Sequence, residues 1–284
     1  MSIAISGASG RLGLHVMNQL LKRVPAQEIV MIVRDVQAAT AIAPAGVEIR
    51  QVDYSSIISM HTALTGIEKL ILIASSEIGT LAEAHFNVIA AAQNAGIRHF
   101  AYTSLLHTDQ SQIALAKEHF LTEQAILKSG LNYTILRNGW YTENYTNNLK
   151  AAVAHSVLIG AAGEGKISSA LLGEYAEAVA IILTTPTHEN KIYELAGDQA
   201  FTMAELAAEV SRQTGKNIVY LNLTEHDYRE KLINQGTEPA LANLLVNADM
   251  GATQGALFDD SGTLQHLLGR PTTTLQEAVR LALA

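Results

Sequence analysis

The chain has 284 residues, enough for one large domain or two of ordinary size. Its 19 Lys and Arg against 27 Asp and Glu give a formal net charge of −8, which argues against nucleic acid and anionic membranes as partners, because both require a basic face. It has no cysteine, so disulfides, thiolate nucleophiles and cysteine-held zinc or iron–sulfur centres are excluded.

Along the first 150 residues, short β-branched or apolar runs alternate with longer segments of helical period. The pattern predicts strands at 2–6, 28–34, 47–53, 69–75, 98–104 and 132–138, and helices at 11–24, 82–96 and 115–130. Strands this apolar are covered on both faces. The alternation is typical of an α/β fold with a doubly wound parallel sheet.

The pattern loosens after residue 150. It predicts a loop at 160–166, a helix at 173–185, a strand at 191–197, a threonine-capped helix at 202–215, a strand at 217–223 and a helical tail that Pro271 interrupts. We therefore predict a first domain over 1–150, whose sheet part of 173–197 completes, and a smaller C-terminal lobe over 151–284.

The N-terminus enters a strand directly, without a basic region followed by a long apolar run. No stretch has the roughly 18 apolar residues that span a bilayer. We therefore expect a cytoplasmic protein, and the lack of cysteine suits a reducing compartment.

Three glycines at spacing G-x-x-G-x-x-G, in the segment ISGASGRLGLHV, follow the first strand and open the first helix. Gly7 permits a tight turn, Gly10 lets a pyrophosphate approach the amides of the helix N-terminus, and Gly13 lets the helix pack close to the sheet. The positive end of the helix dipole adds to the attraction. This context predicts a dinucleotide cofactor rather than an ordinary glycine-rich turn.

The second strand ends in MIVRD, which places Arg34 before Asp35. A guanidinium can bind the 2′-phosphate of NADP through two hydrogen bonds, and Arg11 adds a second positive charge in the glycine loop. The alternative is that Asp35 accepts hydrogen bonds from the ribose of NAD. We favour NADPH.

Other chemistries find no support in the sequence. The segment GAAGEGKI at 160–167 has the glycines and lysine of a phosphate loop, but Ile167 stands where the magnesium-binding Ser or Thr belongs. None of the ten histidines has a helical partner three or four residues away, so we expect no metal. No G-x-S-x-G elbow is present.

Several motifs together resemble the bacterial NAD(P)H:quinone oxidoreductases of type 2, which are NmrA-like atypical short-chain dehydrogenases. They are GASGRLG in the glycine loop, VDY at 52–54, AYTSLL at 101–106, LRNGWYTENY at 136–145 and LFDDSGTLQHLLGRPTTTLQE at 257–277. The resemblance covers essentially the whole chain. The glycine motif is shared by many dehydrogenases, whereas RNGWY and the tail are far more specific.

The resemblance implies a Rossmann domain that binds NADPH, with Asp53 and Tyr54 beside the adenine, and a smaller substrate lobe. The implied cofactor residues are Gly7, Ala8, Ser9, Gly10, Arg11, Leu12, Gly13, Arg34, Asp53, Tyr54, Ala74, Ser75, Ser76, Asn138, Gly139, Trp140, Tyr141, Thr142 and Glu143. One position departs from the family: Leu172 stands about where an arginine often contacts the cofactor.

The resemblance also implies that a small-molecule quinone lies over the nicotinamide, near Trp140, Tyr141 and Asn144. Tyr141 and Trp140 offer flat surfaces, and Asn144 can donate a hydrogen bond to a quinone oxygen or contact the nicotinamide amide. The alternative for both aromatic residues is packing in the core.

The Tyr-x-x-x-Lys pair of ordinary short-chain dehydrogenases is absent, and His119 and Glu123 hold two positions four apart on the corresponding helix. An alkoxide needs a proton early, whereas a quinone that accepts hydride becomes a much less basic hydroquinone anion that water can protonate. The sequence therefore favours quinone reduction without flavin or metal. His119 is a candidate proton donor, and its alternative is a structural role.

Two other functions stay open at this point. One is an NADPH-binding redox sensor of the NmrA type without turnover, and the other is reduction of a triphenylmethane dye. We keep a homodimer as an alternative for the oligomeric state.

Overall fold

The computed structural model describes residues 1–74 and 81–284. Over these residues the strands are β1 Ile3–Ser6, β2 Ile29–Val33, β3 Glu48–Gln51, β4 Lys69–Ile73, β5 His99–Leu105, β6 Tyr133–Asn138, β7 Val157–Gly160, β8 Lys191–Leu195 and β9 Val219–Asn222. The α-helices are α1 Arg11–Leu20, α2 Val36–Thr40, α3 Ile57–Ala63, α4 Leu81–Ala95, α5 Ala114–Lys128, α6 Glu143–Thr146, α7 Leu149–His155, α8 Leu172–Thr184, α9 Met203–Thr214, α10 Glu225–Asn234, α11 Pro239–Thr253, α12 Thr263–Leu268 and α13 Leu275–Leu283.

The main sheet, as far as the chain is described, has seven strands in the order β3-β2-β1-β4-β5-β6-β8. The pairs from β3 to β6 are all parallel, and Ile3 of β1 lies opposite both Ile29 and Lys69. The strand order reverses between β1 and β4, which is the switch point where doubly wound sheets bind ligands. The predicted α/β fold with a Rossmann-type parallel sheet is confirmed.

Helices cover the sheet because its inner strands β1, β2 and β4 are largely apolar, whereas β3 and β8 carry exposed polar residues. Residues of α3, α4 and α5 form one core cluster with alternate residues of the strands, among them the fully buried Phe100 and Tyr102. Helices α1 and α8 pack against each other, α1 also against β1, and α8 also against β5 and β6. Every residue of β1, β2 and β5 is buried. The three central residues of β4 are also buried, as the sequence predicted for a strand covered on both faces.

The chain forms two compact units that interleave along the sequence. The first comprises Met1–Asp109, Leu115–Asn138 and Leu172–Tyr193, and the second Gln110–Ala114, Gly139–Leu171 and Glu194–Ala284. In the second unit β7 and β9 form a parallel two-stranded sheet. The division into functional domains at residue 150 stays a prediction.

The predicted strands and helices are present, with differences at a few ends. The first helix ends at Leu20 rather than at residue 24. The chain continues in turns in which the N–H groups of Lys22 and Arg23 donate to the carbonyls of Gln19 and Leu20, and Pro25 disfavours helical backbone at Val24. The sequence did not predict α2, α3, α6, α7 or β7, which are too short for a clear period. Among the helices described, none has the length and apolar character needed to cross a bilayer.

Candidate functional site

The three glycines form the turn between β1 and α1. Gly7 has a left-handed φ of +82°, and a Cβ there would lie 3.0 Å from the carbonyl oxygen of Ile73. A Cβ on Gly13 would lie 2.4 Å from the carbonyl oxygen of Gly7, closer than any real contact. Both glycines are therefore required by the backbone itself: one by its conformation, the other by the close approach of the helix.

The N-terminus of α1 is open to a ligand. Gly10 is its cap residue, and no side chain caps the helix. Ser9, Gly10 and Arg11 are exposed, whereas Ala8 and Leu12 are buried and offer a ligand only their backbone. A helix N-terminus whose cap residue has no side chain fits the pyrophosphate of a dinucleotide.

Tyr54 holds the glycine turn from the end of β3. Its hydroxyl lies 2.8 Å from Ser6 Oγ and accepts a 3.2 Å hydrogen bond from the Gly7 N–H. Asn87 of α4 donates to the Tyr54 carbonyl at 3.0 Å, and burial raises the pKa of the phenol. The hydroxyl is thus engaged with the turn, a contact that the sequence did not predict.

Asp53 is exposed beside this tyrosine. Its carboxylate accepts hydrogen bonds from the Ser55 hydroxyl at 2.7 Å and the Ser55 N–H at 2.9 Å, and these bonds lower its pKa. Across the switch point, the Ala74 N–H donates to Thr103 Oγ1 at 3.0 Å. Ser75 and Ser76 lie outside the described residues.

The end of β2 carries the two residues that bear on cofactor choice. Arg34 is exposed directly after the strand. Asp35 caps α2, because its Oδ1 accepts a 3.0 Å hydrogen bond from the Ala38 N–H. The Asp35 carboxylate is therefore engaged with its own helix. This favours Arg34 as the residue that contacts the cofactor, and NADPH, which has a 2′-phosphate, over NADH.

His119 is buried on α5, at 6% exposure, with its Nδ1 2.7 Å from the Tyr102 hydroxyl. Burial lowers the pKa of His119 to about 4 and raises that of Tyr102 well above its usual value. Both shifts favour the uncharged forms of the two side chains. The role of His119 as proton donor stays a prediction.

Glu123 lies one turn further along α5 and is also buried. It accepts two hydrogen bonds from Arg137, at 2.7 and 3.0 Å, and one from Ser104 at 2.5 Å. Arg137 also binds Asp109 at 3.0 Å. At the position where ordinary short-chain dehydrogenases carry lysine, this chain therefore has a carboxylate in an ion pair. The sequence did not predict these partners, since nothing in the local pattern links positions this far apart.

Asn138 ends β6. Its carbonyl accepts the Leu106 N–H at 2.9 Å, while its side chain, 3% exposed, has no hydrogen-bond partner among the residues that the structure describes. Buried amides are rarely left in this state.

The segment after Asn138 belongs to the second unit. The Gly139 N–H donates to the Leu195 carbonyl at 2.7 Å, and Thr142 Oγ1 lies 2.8 Å from Ser169 Oγ. Trp140 and Thr142 are buried, whereas the side chains of Tyr141, Glu143 and Asn144 are half-buried. Within this segment, the accessible flat ring is that of Tyr141 and the accessible amide that of Asn144.

Two further expectations concern Leu172 and metals. Leu172, the first residue of α8, is 2% exposed and apolar, so it cannot pair with a phosphate as the family's arginine does. No group of three or more candidate metal-ligating side chains occurs in the described ranges 1–74 and 81–284.

A parallel sheet with an uncapped glycine-rich turn at its switch point defines a dinucleotide-binding protein. The family described as NAD(P)H-binding matches residues 7–181, and the chain belongs to it. Quinone oxidoreductase 2 of Escherichia coli K12 is 51% identical over 277 residues, which are 98% of this chain and 97% of that protein.

Two solved structures extend the comparison. The crystal structure of the E. coli NADPH-dependent quinone oxidoreductase QOR2 in complex with NADPH has a TM-score of 0.95 at 50% identity, covering 99% of this chain and 100% of that chain. The triphenylmethane reductase of Citrobacter sp. in complex with NADP(H) has a TM-score of 0.95 at 37% identity, with the same coverage.

Proposed function

We propose that this protein is an NADPH-dependent quinone reductase in which hydride passes directly from the nicotinamide to a quinone, without flavin or metal. The relatives named above support this function, since the match to quinone oxidoreductase 2 runs through nearly the full length of both chains. The similarity to a triphenylmethane reductase is weaker, at 37% identity.

The observation that carries the proposal is the state of the two positions on α5. His119 is buried and hydrogen-bonded to Tyr102, and the Glu123 carboxylate is held in an ion pair by Arg137. A carbonyl substrate would leave a strongly basic alkoxide with no acid in the usual place. A quinone leaves a weakly basic hydroquinone anion, so water suffices as proton source.

The chain's own residues then act by binding and orientation. We assign the pyrophosphate to the amides of Ser9, Arg11, Leu12 and Gly13, since the Gly10 N–H already donates to the Gly7 carbonyl. We assign the 2′-phosphate to Arg34, with Tyr54 holding the turn. NADPH, when bound, supplies the hydride. We assign the quinone ring to Tyr141 and one quinone oxygen to the Asn144 side chain, because hydride transfer depends chiefly on the placement of the two rings.

The test is NADPH oxidation, followed at 340 nm, with a panel of small quinones and a triphenylmethane dye. The protein is first dialysed against a chelator and freed of flavin. We expect quinone-dependent oxidation without added flavin or metal, and a slower rate with 4-deuterated NADPH if hydride transfer limits turnover.

Three outcomes would contradict the proposal. Tight NADPH binding without turnover of any quinone indicates the redox sensor. Faster turnover of the dye than of every quinone indicates a dye reductase. A strict requirement for added flavin or metal excludes direct transfer.

We further propose that the protein acts in the cytoplasm, with a quinone as its partner and no nucleic acid. Cell fractionation and a nucleic-acid shift assay test these two points. Sedimentation of the purified protein distinguishes the homodimer from a monomer.

A further inference from the structure

The glycine-rich segment 160–166, which has part of a phosphate-loop pattern, is not used by the proposed function. Its first amides are bound by side chains of the second unit. Three consecutive N–H groups donate in turn: Ala161 to Asp249 Oδ2 at 2.7 Å, Ala162 to the Tyr220 hydroxyl at 3.2 Å, and Gly163 to Asn222 Oδ1 at 2.9 Å. The amides that a phosphate would need are therefore occupied, and one of the acceptors is a carboxylate.

Segment 160–166 lies directly on α11. A Cβ on Gly165 would lie 2.5 Å from the carbonyl oxygen of Ala252, so the two backbones approach as closely as glycine allows. Asp249 is three residues before Ala252 on the same helix and therefore lies on the same side of it. Its hydrogen bond to Ala161 thus closes the start of the segment onto the helix that the end of the segment already contacts.

Asp249 is a buried carboxylate with little to compensate its charge. It is 4% exposed, and no cationic side chain among the described residues pairs with it. Burial disfavours the charged form of a carboxyl group. It raises the pKa of Asp249 to about 6, and the hydrogen bond from Ala161 offsets only part of this effect. At neutral pH the group is therefore ionised in a place that favours its uncharged form.

The other titratable groups that face Asp249 are two phenols, Tyr220 of β9 and Tyr228 of α10. Burial raises the pKa of both, that of Tyr220 to about 12, so both stay neutral at physiological pH. The remaining charged or titratable side chains of the segment and of α10 are exposed or paired with an exposed group: Glu164, Lys166, Glu225, His226, Asp227, Arg229, Glu230 and Lys231. Among the buried groups of this cluster, Asp249 is the one whose charge changes near neutrality.

We propose that the ionisation of Asp249 controls the opening of segment 160–166 away from α11: protonation favours the closed segment, and ionisation favours opening, which hydrates the carboxylate. Local opening of this kind costs less free energy than unfolding of the whole chain. Because the closed state holds the proton more tightly than the open state, acid shifts the equilibrium toward the closed one. The inference goes beyond the proposed function and does not depend on it.

The segment leads into a part of the chain that matters for the proposed quinone site. Ala170, four residues after it ends, accepts a 2.9 Å hydrogen bond from the Thr142 N–H and pairs with Tyr141. The pH-dependent segment therefore lies just before the contact that holds Tyr141.

Hydrogen exchange of the Ala161, Ala162 and Gly163 amides, followed by NMR and expressed as protection factors, tests the proposal at pH 7.5 and 5. We expect protection to rise about tenfold at pH 5, since Asp249 binds its proton at about pH 6 in the closed state and only at about pH 3.9 in the open, hydrated state. In Asp249→Asn, which keeps an acceptor for the first amide, protection should be equal at the two pH values. Asp260→Asn, the same change at an exposed aspartate, is the control and keeps the rise.

A second measurement follows the carboxyl group itself. In protein labelled with ¹³C at the aspartate side-chain carboxyl, the Asp249 signal is identified by its absence from Asp249→Asn. We expect its chemical shift to titrate with a midpoint near pH 6, well above the usual aspartate value of about 3.9.

Three results would overturn the proposal. The first is protection in the unaltered protein that stays constant or falls at pH 5, and the second is a tenfold rise that persists in Asp249→Asn, which would assign the opening to another group. The third is a carboxyl midpoint near 4, which would mean that Asp249 is hydrated in the folded chain. If Asp249→Asn does not fold, Asp249→Ser, which also lacks the charge, replaces it in both measurements. A protein that reduces no quinone contradicts the proposed function and leaves this inference standing.

Discussion

Two corners of the main sheet handle polar groups in opposite ways. At the β1–α1 corner the side chains are missing: Gly7, Gly10 and Gly13 leave the backbone bare and the helix uncapped. At the corner of β5, α5 and β6, buried polar side chains pair with one another, as Glu123 does with Arg137 and Ser104. Under the proposed function, the first arrangement binds an anion through backbone amides, which every residue but proline possesses, whereas the second arrangement depends on particular side-chain partners.

The difference explains why one corner can be identified from a short motif and the other cannot. Glycine spacing is a local pattern, so a short segment of sequence is enough to predict the phosphate site. The pairing of Glu123 with Arg137 joins residues 14 apart on different elements, and no local pattern records it. If this contrast is correct, substitutions at the second corner should damage stability, and substitutions at the first should damage cofactor binding.

The largest effect is expected from Glu123→Leu. It leaves the Arg137 guanidinium buried without its main partner, which costs about 3–5 kcal/mol of the free energy of unfolding. Urea denaturation measures the loss. The double variant Glu123→Leu with Arg137→Met removes both charges and should recover most of it. A single variant as stable as the unaltered protein would contradict the role given to this ion pair.

The next effect in size is expected from Gly10→Val. The new side chain stands at the uncapped N-terminus of α1, where the pyrophosphate approaches. We expect NADPH affinity to fall at least about 100-fold, or roughly 2.7 kcal/mol, with the melting temperature little changed. Normal binding in a fluorescence titration would place the phosphates elsewhere.

Arg34→Ala tests the contact with the cofactor's 2′-phosphate at the same corner of the sheet. Loss of a charge-assisted hydrogen bond to the 2′-phosphate should weaken NADPH by about 1.5–3 kcal/mol and leave NADH nearly unaffected, since NADH has no such phosphate. Arg23→Ala, an exposed arginine beyond the end of α1, serves as control. Equal weakening of both cofactors would remove Arg34 from the 2′-phosphate site.

Acid should destabilise the protein through three buried histidines. Burial lowers the pKa of His85 to about 3 and those of His99 and His119 to about 4, below the unfolded value near 6.5. Their contribution to stability is complete above pH 6.5 and is lost as the pH falls toward 4, by about 1.4 kcal/mol per pH unit for each histidine. Urea midpoints between pH 7.5 and 5 measure the slope, and His119→Phe should flatten it. An unchanged slope in that variant would contradict a neutral, buried His119.

The smallest effect is expected on turnover by His119→Phe. The hydroquinone anion is protonated by water, so kcat with a quinone should stay within about twofold. Asn144→Ala should reduce turnover substantially more, because the placement of the ring is lost. A dead His119→Phe beside an active Asn144→Ala would instead make His119 the general acid.

The sequence was sufficient for the elements whose cause is local. The buried strands, the amphipathic α1 and the Thr202 cap of α9 each follow from neighbouring residues, and the structure contains all of them. It was insufficient where a side chain has two candidate uses. Asp35 could serve a ribose or cap a helix, and only the fold of α2 shows the cap. The hydroxyl of Tyr54 likewise meets Gly7 only once β1 and β3 lie in one sheet.

The interleaving of the two compact units has a consequence for synthesis of the chain. The first unit takes its last segment from Leu172–Tyr193, so it cannot be completed until 193 of the 284 residues have left the ribosome. Domains usually fold as units from the N-terminus during translation. Here the strands from β1 to β6 must wait for α8, and the apolar surface that α8 covers stays exposed meanwhile. We therefore expect chaperones to bind the nascent chain most strongly before residue 193 emerges from the ribosome.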